Sequence, residues 1–341
     1  NSDNVSLGGQ AGTSNGNPYQ NSNDPNAKGN NIAIGRISLN GSSGGANVAL
    51  GSKTFLNGKG DYNFLGNFAA GFNSTISNTI AIGSFAGSGA TGNKNVWLGT
   101  GQAGGSTGNN TVLIGSNSKV DGNFNYGIGH NAELKGESNA VVGAYNHVTA
   151  NNTYVLGDHV DTTLNNAVVL GSQSTAESSD VVSTPSYTYA GGTVNFAGTA
   201  PVSTVSVGAT NQERTITHVA AGRVSADSTD AINGSQLYGA NQQIDNLYNK
   251  ISNIGKEANK GDARAAALAA LHPMQFDPDN RVQVMGGIGH YKDANALALG
   301  VGYYPKENLL LTAGATVNDH IMANLGVSYK FGENKTLQKI S

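Results

Sequence analysis

The segments Asn139-Ala140-Val141-Val142-Gly143, Thr153-Tyr154-Val155-Leu156-Gly157 and Ala167-Val168-Val169-Leu170-Gly171 repeat one pattern, apolar-x-apolar-Gly, every 14 residues. Upstream, the same unit closes at Gly35, Gly51, Gly66, Gly83, Gly99, Gly115 and Gly129, at intervals of 16, 15, 17, 16, 16 and 14. Asn4-Val5-Ser6-Leu7-Gly8 is an earlier copy, set apart by an insertion. A short unit that cannot bury its own apolar face must stack on its neighbours, so the repeat predicts a solenoid with one rung per unit.

Residues one and three places before each glycine, such as Ile34 and Ile32, Ile82 and Ile80, or Leu156 and Tyr154, share one strand face. Period two predicts that they stack into a continuous core. The column between them, Ala33, Ala49, Phe64, Ala81, Trp97, Leu113, Gly127, Val141, Val155 and Val169, is almost as apolar. A strand with no polar face is buried on both sides, while a thin coil has one inside. The second face therefore predicts another copy, with Trp97, Val141, Val155 and Val169 at the interface. A second short strand follows each glycine. Its inward pairs are Ser118 with Val120, Ala132 with Leu134, and Asn146 with Val148; Lys119, Glu133, Tyr145, His147, His159 and Asp161 face solvent.

The 341 residues include 48 glycines, 44 asparagines, 19 basic and 22 acidic residues and no cysteine. This composition suits a chain that turns at short intervals and argues against an ordinary soluble enzyme. A net charge of -3 without a basic cluster predicts no nucleic-acid partner. Zero cysteine excludes a disulfide scaffold and a thiolate nucleophile, and suits passage unfolded through a narrow pore. The first residue is Asn1 and no basic-apolar leader precedes it, which reads as a processed chain or a fragment. No run of 18 apolar residues predicts a membrane-spanning helix. Barrel strands alternate and escape that test.

Asn31-Ile32-Ala33-Ile34-Gly35 and Asn47-Val48-Ala49-Leu50-Gly51 resemble the head repeat of trimeric autotransporter adhesins. The resemblance implies a left-handed parallel β-roll with three chains side by side; the longer upstream rungs depart from the family pattern. After Gly171 the next rung ends at Val205-Ser206-Val207-Gly208, 37 residues on. The excess holds Tyr187-Thr188-Tyr189, Ala190-Gly191-Gly192 and Thr193-Val194-Asn195-Phe196, a hairpin with a glycine turn, similar to an insert in the last head strands of the family. Glu213 to Gly222 and Asp230-Ala231-Ile232-Asn233-Gly234-Ser235-Gln236-Leu237 are similar to its neck. From Leu237 a heptad register fits, with Leu237, Ile244, Ile251, Ala258 and Ala265 at a and Ala240, Leu247, Ile254, Gly261 and Leu268 at d. Ile251 with Ile254 favours trimers and Ile244 with Leu247 dimers, so these core residues leave both open. An alanine-rich helix from Arg264 to Leu271 is stopped by His272-Pro273.

Four alternating segments follow, near 281–291, 294–304, 308–317 and 320–331, each close to the 9 to 11 residues of a tilted membrane strand. Leu297, Leu299, Val301 and Tyr303 form one face of the second; Ala296, Ala298, Gly300 and Gly302 form the other. Four strands cannot close a barrel, and open edges are not tolerated in hydrocarbon. Three chains supply twelve strands, an allowed number, and the small face with Gly300, Gly302, Gly314 and Gly326 then lines a lumen holding three helices. Helix, proline break, four strands and a final aromatic resemble the anchor of the same adhesin family. That resemblance implies Tyr329 and Phe331 as a barrel assembly signal, with the tail Gly332 to Ser341 as a departure.

His130, His147 and His159 occupy three different columns, so no metal site and no cofactor are expected. Left-handed β-helical acyltransferases repeat every six residues and these rungs do not; the Asp of calcium-binding nonapeptide turns is missing. Gly300 and Gly302 lie in strands, where a phosphate loop is not expected. Phe55, Phe68, Phe85 and Tyr145 fall in columns assigned to the outside and are the candidate receptor-binding residues.

The expectation is a mostly β chain: a left-handed parallel β-roll head over 1–211 with a hairpin near 184–203, a neck over 212–236, a coiled coil over 237–263 and an anchor over 264–341. The resemblance implies a homotrimeric, non-enzymatic adhesin of the bacterial outer membrane with its head at the cell surface. Its implied partners are a host-cell receptor or extracellular-matrix protein, outer-membrane lipid and the outer-membrane assembly machinery. Self-association between cells, a coat role and a β-helical enzyme are the alternatives.

Overall fold

The computed structural model describes residues 4–12, 29–317 and 319–332; the tail beyond Gly332 lies outside them. The chain forms two compact units, one of Asn1–His218 with Arg223–Asp230, the other of Val219–Gly222 with Ala231–Ser341.

The first unit is a β-solenoid. One parallel sheet of twelve strands runs from Val5–Leu7 to Val205–Ser206. A second ladder lies across the coil, with Lys119–Asp121, Glu133–Lys135, His147–Thr149 and Asp161–Thr162 in parallel register. Ile32, Val48, Phe64, Ile80, Val96 and Val112 pair in sequence at steps of 16, and Val112, Tyr126, Ala140, Tyr154 and Val168 at steps of 14. The irregular upstream spacing read from the glycines therefore disappears. Gly66 pairs with Leu50 and Ile82, and the glycine position of that rung belongs to Asn67, at φ +86°.

The inside of the coil is the reverse of the sequence expectation. In the main sheet from Ile32–Ile34 onward the central residue of each three-residue strand points inward and its neighbours point out; Leu65, which the sequence placed in the core, is there. Trp97, Leu113, Val141, Val155 and Val169, expected at a chain interface or on a second buried face, are packed inside their own coil. The reason is geometric: a three-residue strand of period two presents one side chain to one face and two to the other, and the narrow interior takes the single one. Large and small residues alternate to fill it. A Cβ on Gly87 would sit 2.8 Å from the Trp97 ring, and one on Gly127 would sit 2.7 Å from the Leu113 Cδ2. Phe55, expected outside, is 0 % exposed. It sits at the extra αL corner (φ +53°) of the 16-residue coils, whose side chain enters the coil, where a Cβ on Gly71 would stand 3.0 Å from its ring and 3.1 Å from Leu65.

Two kinds of ladder close the coils. Asn47, Asn63, Asn95, Asn125 and Asn139 are buried, and their amides bond between rungs. The Asn125 Oδ1 accepts from the Asn139 N–H at 3.0 Å, and the Asn139 Oδ1 from the Thr153 N–H at 3.0 Å. Their Nδ2 groups donate to turn carbonyls, as Asn125 does to Gly136 at 2.8 Å. Such pairing removes the cost of buried backbone donors and accounts for much of the asparagine content. The glycine column is imposed by close approach: a Cβ on Gly115 (φ +133°) would overlap the Gly129 carbonyl. At the last rung Arg214 takes the place of a next coil. It lies over Gly171 and donates from Nη1 to the Val207 carbonyl at 2.7 Å and from Nη2 to the Ser172 carbonyl at 2.8 Å, which caps the stack.

In the second unit a helix spans Gly234–Ala269, about 54 Å at 1.5 Å per residue. Asn233 caps it by accepting from the Gln236 N–H, and Gln236 reaches back to the Asn233 N–H at 3.2 Å. Gln236 also bonds both backbone groups of Gly222, and Asn233 donates to the Val219 carbonyl at 3.1 Å, so the neck segment is pinned to the helix start. Four antiparallel strands follow, Val282–Tyr291, Ala294–Lys306, Leu309–Thr316 and Ala323–Tyr329. Ala263, Ala267 and Leu268 pack with Ala294, Ala296 and Ala298. No helix among the described residues is long and apolar enough to cross a membrane.

Candidate functional surfaces

The flanking strand residues that the sequence placed in a core form instead an apolar surface on the twelve-stranded sheet. Ile34, Ile80, Ile82, Ile114, Tyr126, Ile128, Val142, Tyr154, Leu156 and Leu170 are 38–59 % exposed. They stack in two rows because register is kept from rung to rung. Contiguous apolar area on this scale marks an interaction surface.

Of the candidate receptor residues, Phe68, Phe85 and Tyr145 are exposed. They form two clusters. Phe68 and Phe85 meet edge to face at 5.3 Å, with the Lys53 ammonium 5.6 Å from the Phe68 ring. Tyr145 stacks on His159 at 4.9 Å and meets His130 edge-on at 5.3 Å, while Ser116 Oγ lies 2.7 Å from His130 Nδ1. Phe85, Tyr145 and His159 hold αL backbones, φ +60°, +55° and +53°. The same corner column carries Gly101, Asn117 and Asn131 at φ +64°, +54° and +51°, residue types that tolerate αL. A bulky ring there costs on the order of 1 kcal/mol, and its burial does not offset this, since Phe85 and Tyr145 stay about half exposed. The sequence reading weighed His130 and His159 only as metal ligands and did not join them to Tyr145, although His159 follows Tyr145 in the same column 14 residues on. His130 and Tyr145 sit one column apart on successive rungs.

The adjacent face of the short sheet is a charge ladder. Lys119 pairs with Asp121 at 3.2 Å, Lys135 with Glu133 at 2.8 Å, and His147 Nδ1 lies 3.1 Å from the other Glu133 oxygen. The Lys135 hydrogen bond holds Glu133 below the usual carboxylate range, against partial desolvation. Among the described residues no group of three or more His, Asp or Glu side chains could hold a metal ion.

Along the helix, Leu237, Ile244, Leu247, Ile251 and Ile254 are all exposed, an uncovered a/d seam. In the anchor sheet Leu297, Leu299, Val301 and Tyr303 face outward while Ala296 and Ala298 face the helix. A Cβ on Gly300 would come 2.8 Å from Leu271, and one on Gly314 2.5 Å. Gly302 has ordinary room, and a Cβ on Gly326 would meet Thr312 rather than the helix. The tightest positions were not singled out from sequence. Cβ atoms on Gly287 and Gly289 would overlap the helix backbone at Ala267 and at Ala263. The Gly286-Gly287-Ile288-Gly289 run was the available signal. Tyr329 and Phe331 are exposed, their rings edge to face at 4.8 Å.

A β-solenoid joined in one chain to a seam-bearing helix and a sheet with an apolar outer face defines a membrane-anchored fibrous protein. Residues 274–331 match the YadA-like membrane anchor domain, and residues 215–260 match the coiled stalk of trimeric autotransporter adhesins. The stalk and anchor of this chain are those of the trimeric autotransporter adhesins.

Its relatives carry adhesin names. It is 51 % identical over 87 residues to autotransporter adhesin BtaE of Brucella suis, covering 26 % of this chain and 12 % of that protein. It is 34 % identical over 94 residues to Neisseria adhesin A of Neisseria meningitidis (26 % and 25 %), and 35 % identical over 86 residues to adhesin YadA of Yersinia pseudotuberculosis (25 % and 19 %). The matched segments thus span a quarter or less of these three relatives. Among solved structures, the C-terminal YadA-like domain of a Burkholderia pseudomallei protein is 43 % identical, covering 34 % of this chain and 47 % of that one, with a TM-score of 0.28. The anchor assigns the chain to the outer membrane.

Proposed function

We propose that three copies of this chain form a surface adhesin, its solenoid displayed outside the cell as a head over 1–211, joined by a neck over 212–236 and a coiled coil over 237–263 to an anchor over 264–341. One observation carries the oligomer: the anchor sheet has two open edges, Val282–Tyr291 and Ala323–Tyr329, below a lipid-compatible outer face. Unpaired strand edges in hydrocarbon cost several kcal/mol per group. Copies joined edge to edge close a barrel of twelve strands, within the known range, around the helices that Gly287, Gly289, Gly300 and Gly314 admit. The uncovered a/d seam then meets its counterparts, and the apolar rows of the head meet theirs. Tyr329 and Phe331 would present the last strand to the outer-membrane assembly machinery.

The head binds a host receptor, extracellular-matrix protein or other surface macromolecule. Phe68, Phe85 and Tyr145 with His130 and His159 are its candidate contacts, since these rings pack mainly on one another and Phe68, Phe85 and Tyr145 stay exposed. Three equivalent faces let modest contacts combine through avidity. The test has two arms. A full-length oligomer that resists detergent and falls to single chains on boiling supports the assembly; a membrane-embedded single chain refutes it. Phe85→Ala and Tyr145→Ala variants with normal display should lose attachment to immobilised matrix proteins. Unchanged attachment, or clumping of cells without any ligand, moves the function to self-association.

A further inference from the structure

The hairpin of Ser186–Tyr189 and Gly192–Asn195 is amphipathic, and no described part of its own chain covers it. Register places Tyr187 opposite Val194 and Tyr189 opposite Gly192 on one face, with Thr188 opposite Thr193 on the other. The Phe196 N–H donates to the Pro185 carbonyl at 2.9 Å, extending the apolar face to Pro185, Tyr187, Tyr189, Val194 and Phe196. The opposite face is Ser186, Thr188, Thr193 and Asn195, its two threonine hydroxyls 3.0 Å apart. Every residue of both strands is exposed. A two-stranded ribbon without packing on one face is marginal in water, yet this one carries three rings.

Its place in the coil says what covers it. The chain leaves the short ladder at Ala176, which bridges to Thr162, and rejoins the main sheet at Val205, which pairs with Val168. One rung earlier the same corner needs only the few residues between Thr162 and Val168. The hairpin therefore springs from the corner that borders the exposed apolar rows ending in Tyr154, Leu156, Leu170 and Val205. At roughly 150–250 Å² per aromatic side chain, the exposed part of its apolar face is on the order of 300–400 Å² per chain. One such patch, even with the equal area it covers on a neighbour, stays below the roughly 1,000 Å² of a specific interface, so it serves to extend a larger contact.

We propose that the apolar face of this hairpin docks on a second copy of the chain, extending the contact made by the main-sheet rows. The inference rests on the trimeric reading. A partner that must cover these rings whenever the chain is folded has to be present at every head, and another copy of the same chain meets that condition.

The test places a photo-reactive benzophenone amino acid at Tyr187 in the full-length chain in its membrane, with the same group at Thr188 and at Ile251 as references. Irradiation at Tyr187 should yield covalent species of two and three chain masses after complete denaturation, at least tenfold more than at Thr188. Tyr187→Ser should also lower the temperature at which the oligomer falls apart on a gel, whereas Thr188→Val should not. Products joining one chain to lipid or to a foreign protein, or no product at Tyr187 while Ile251 still crosslinks chains, overturn the hairpin contact and leave the trimer standing. Single chains from Ile251 as well would remove the trimer and the hairpin contact together.

Discussion

The solenoid and the anchor sheet are built from the same materials, strands that alternate large apolar with small residues, and they close in opposite ways. The solenoid seals its interior within one chain: Trp97, Phe55, Leu65 and Leu113 are fully buried by their own rungs, and amide ladders satisfy the backbone between them. The anchor sheet buries only its small side, against Ala263, Ala267 and Leu268, and leaves its large side and both edges open. The difference separates two kinds of stability. The head core is a property of the single chain, whereas the anchor becomes complete only in an assembly and in lipid.

The largest effect that tests this contrast belongs in the anchor. Gly289→Val puts side-chain atoms where the helix backbone at Ala263 and Ala267 already runs, and neither element can yield without losing the strand register. Nearly all boiling-sensitive oligomer should disappear from outer membranes on gel electrophoresis, while any exported head keeps its resistance to protease. Wild-type oligomer levels would show that the helix does not run along this strand. Next comes the interior of the head. Leu113→Ala removes a fully buried side chain registered beside Trp97 and should cost about 2–5 kcal/mol. Trp97 is the single tryptophan, so its fluorescence reports head unfolding in the full-length chain. A shift in urea midpoint too small for that loss would mean the coil is not close-packed there.

Much of the fold was legible because it rests on period and spacing. The glycine column, the second-strand inward residues Val120, Leu134 and Val148, the hairpin and the four anchor strands all follow from local rules, and the burial of Val120, Leu134 and Val148 agrees. Which strand face is the inside was not legible. An alternation in which both columns are apolar gives no sign of its own direction, and the reading chose the longer-chained pair, Ile32 and Ile34, over Ala33. Side-chain volume was the overlooked signal: Ala33, Ala49, Ala81 and Gly127 suit a narrow interior, and Trp97 fits there because Gly87 makes room. Phe55 was misplaced for a related reason. Only the 16-residue coils have that extra corner, and sequence spacing does not say that its αL residue turns inward. In the His130–Tyr145–His159 cluster Tyr145 and His159 share a column and His130 joins from the neighbouring one, a relation visible once the rungs are stacked.

A smaller effect separates the two faces directly. Ile128→Ser with Leu156→Ser changes two exposed side chains of the main sheet. If the rows are an interface between copies, each change removes about 1.5–3 kcal/mol of apolar burial per chain at most, and the oligomer should dissociate at lower temperature. The emission of Trp97 should stay that of a buried indole, because its burial is internal to the coil. Loss of that signal in the variant would return Trp97 to the interface and reverse the assignment of inside and outside.

The smallest effect concerns the charged ladder, and its sign follows from linkage. Glu133 titrates below its ordinary value in the folded chain, chiefly through the Lys135 hydrogen bond. A carboxylate depressed on folding contributes stability that is complete above its unfolded pKa and is lost as pH falls through the folded value. The loss therefore lies below the ordinary glutamate value of 4.5. Because Glu133 is about one-third exposed, solvent screens the pair and the contribution is small. His147 Nδ1 lies 3.1 Å from the other Glu133 oxygen. Glu133→Gln should flatten the acid limb of head stability, read by Trp97 fluorescence between about pH 5 and pH 3, with no change near neutrality beyond the loss of one exposed ion pair. An unchanged acid limb would assign the ladder to solubility of the outer face rather than to stability, and the head would then owe its stability to its interior alone.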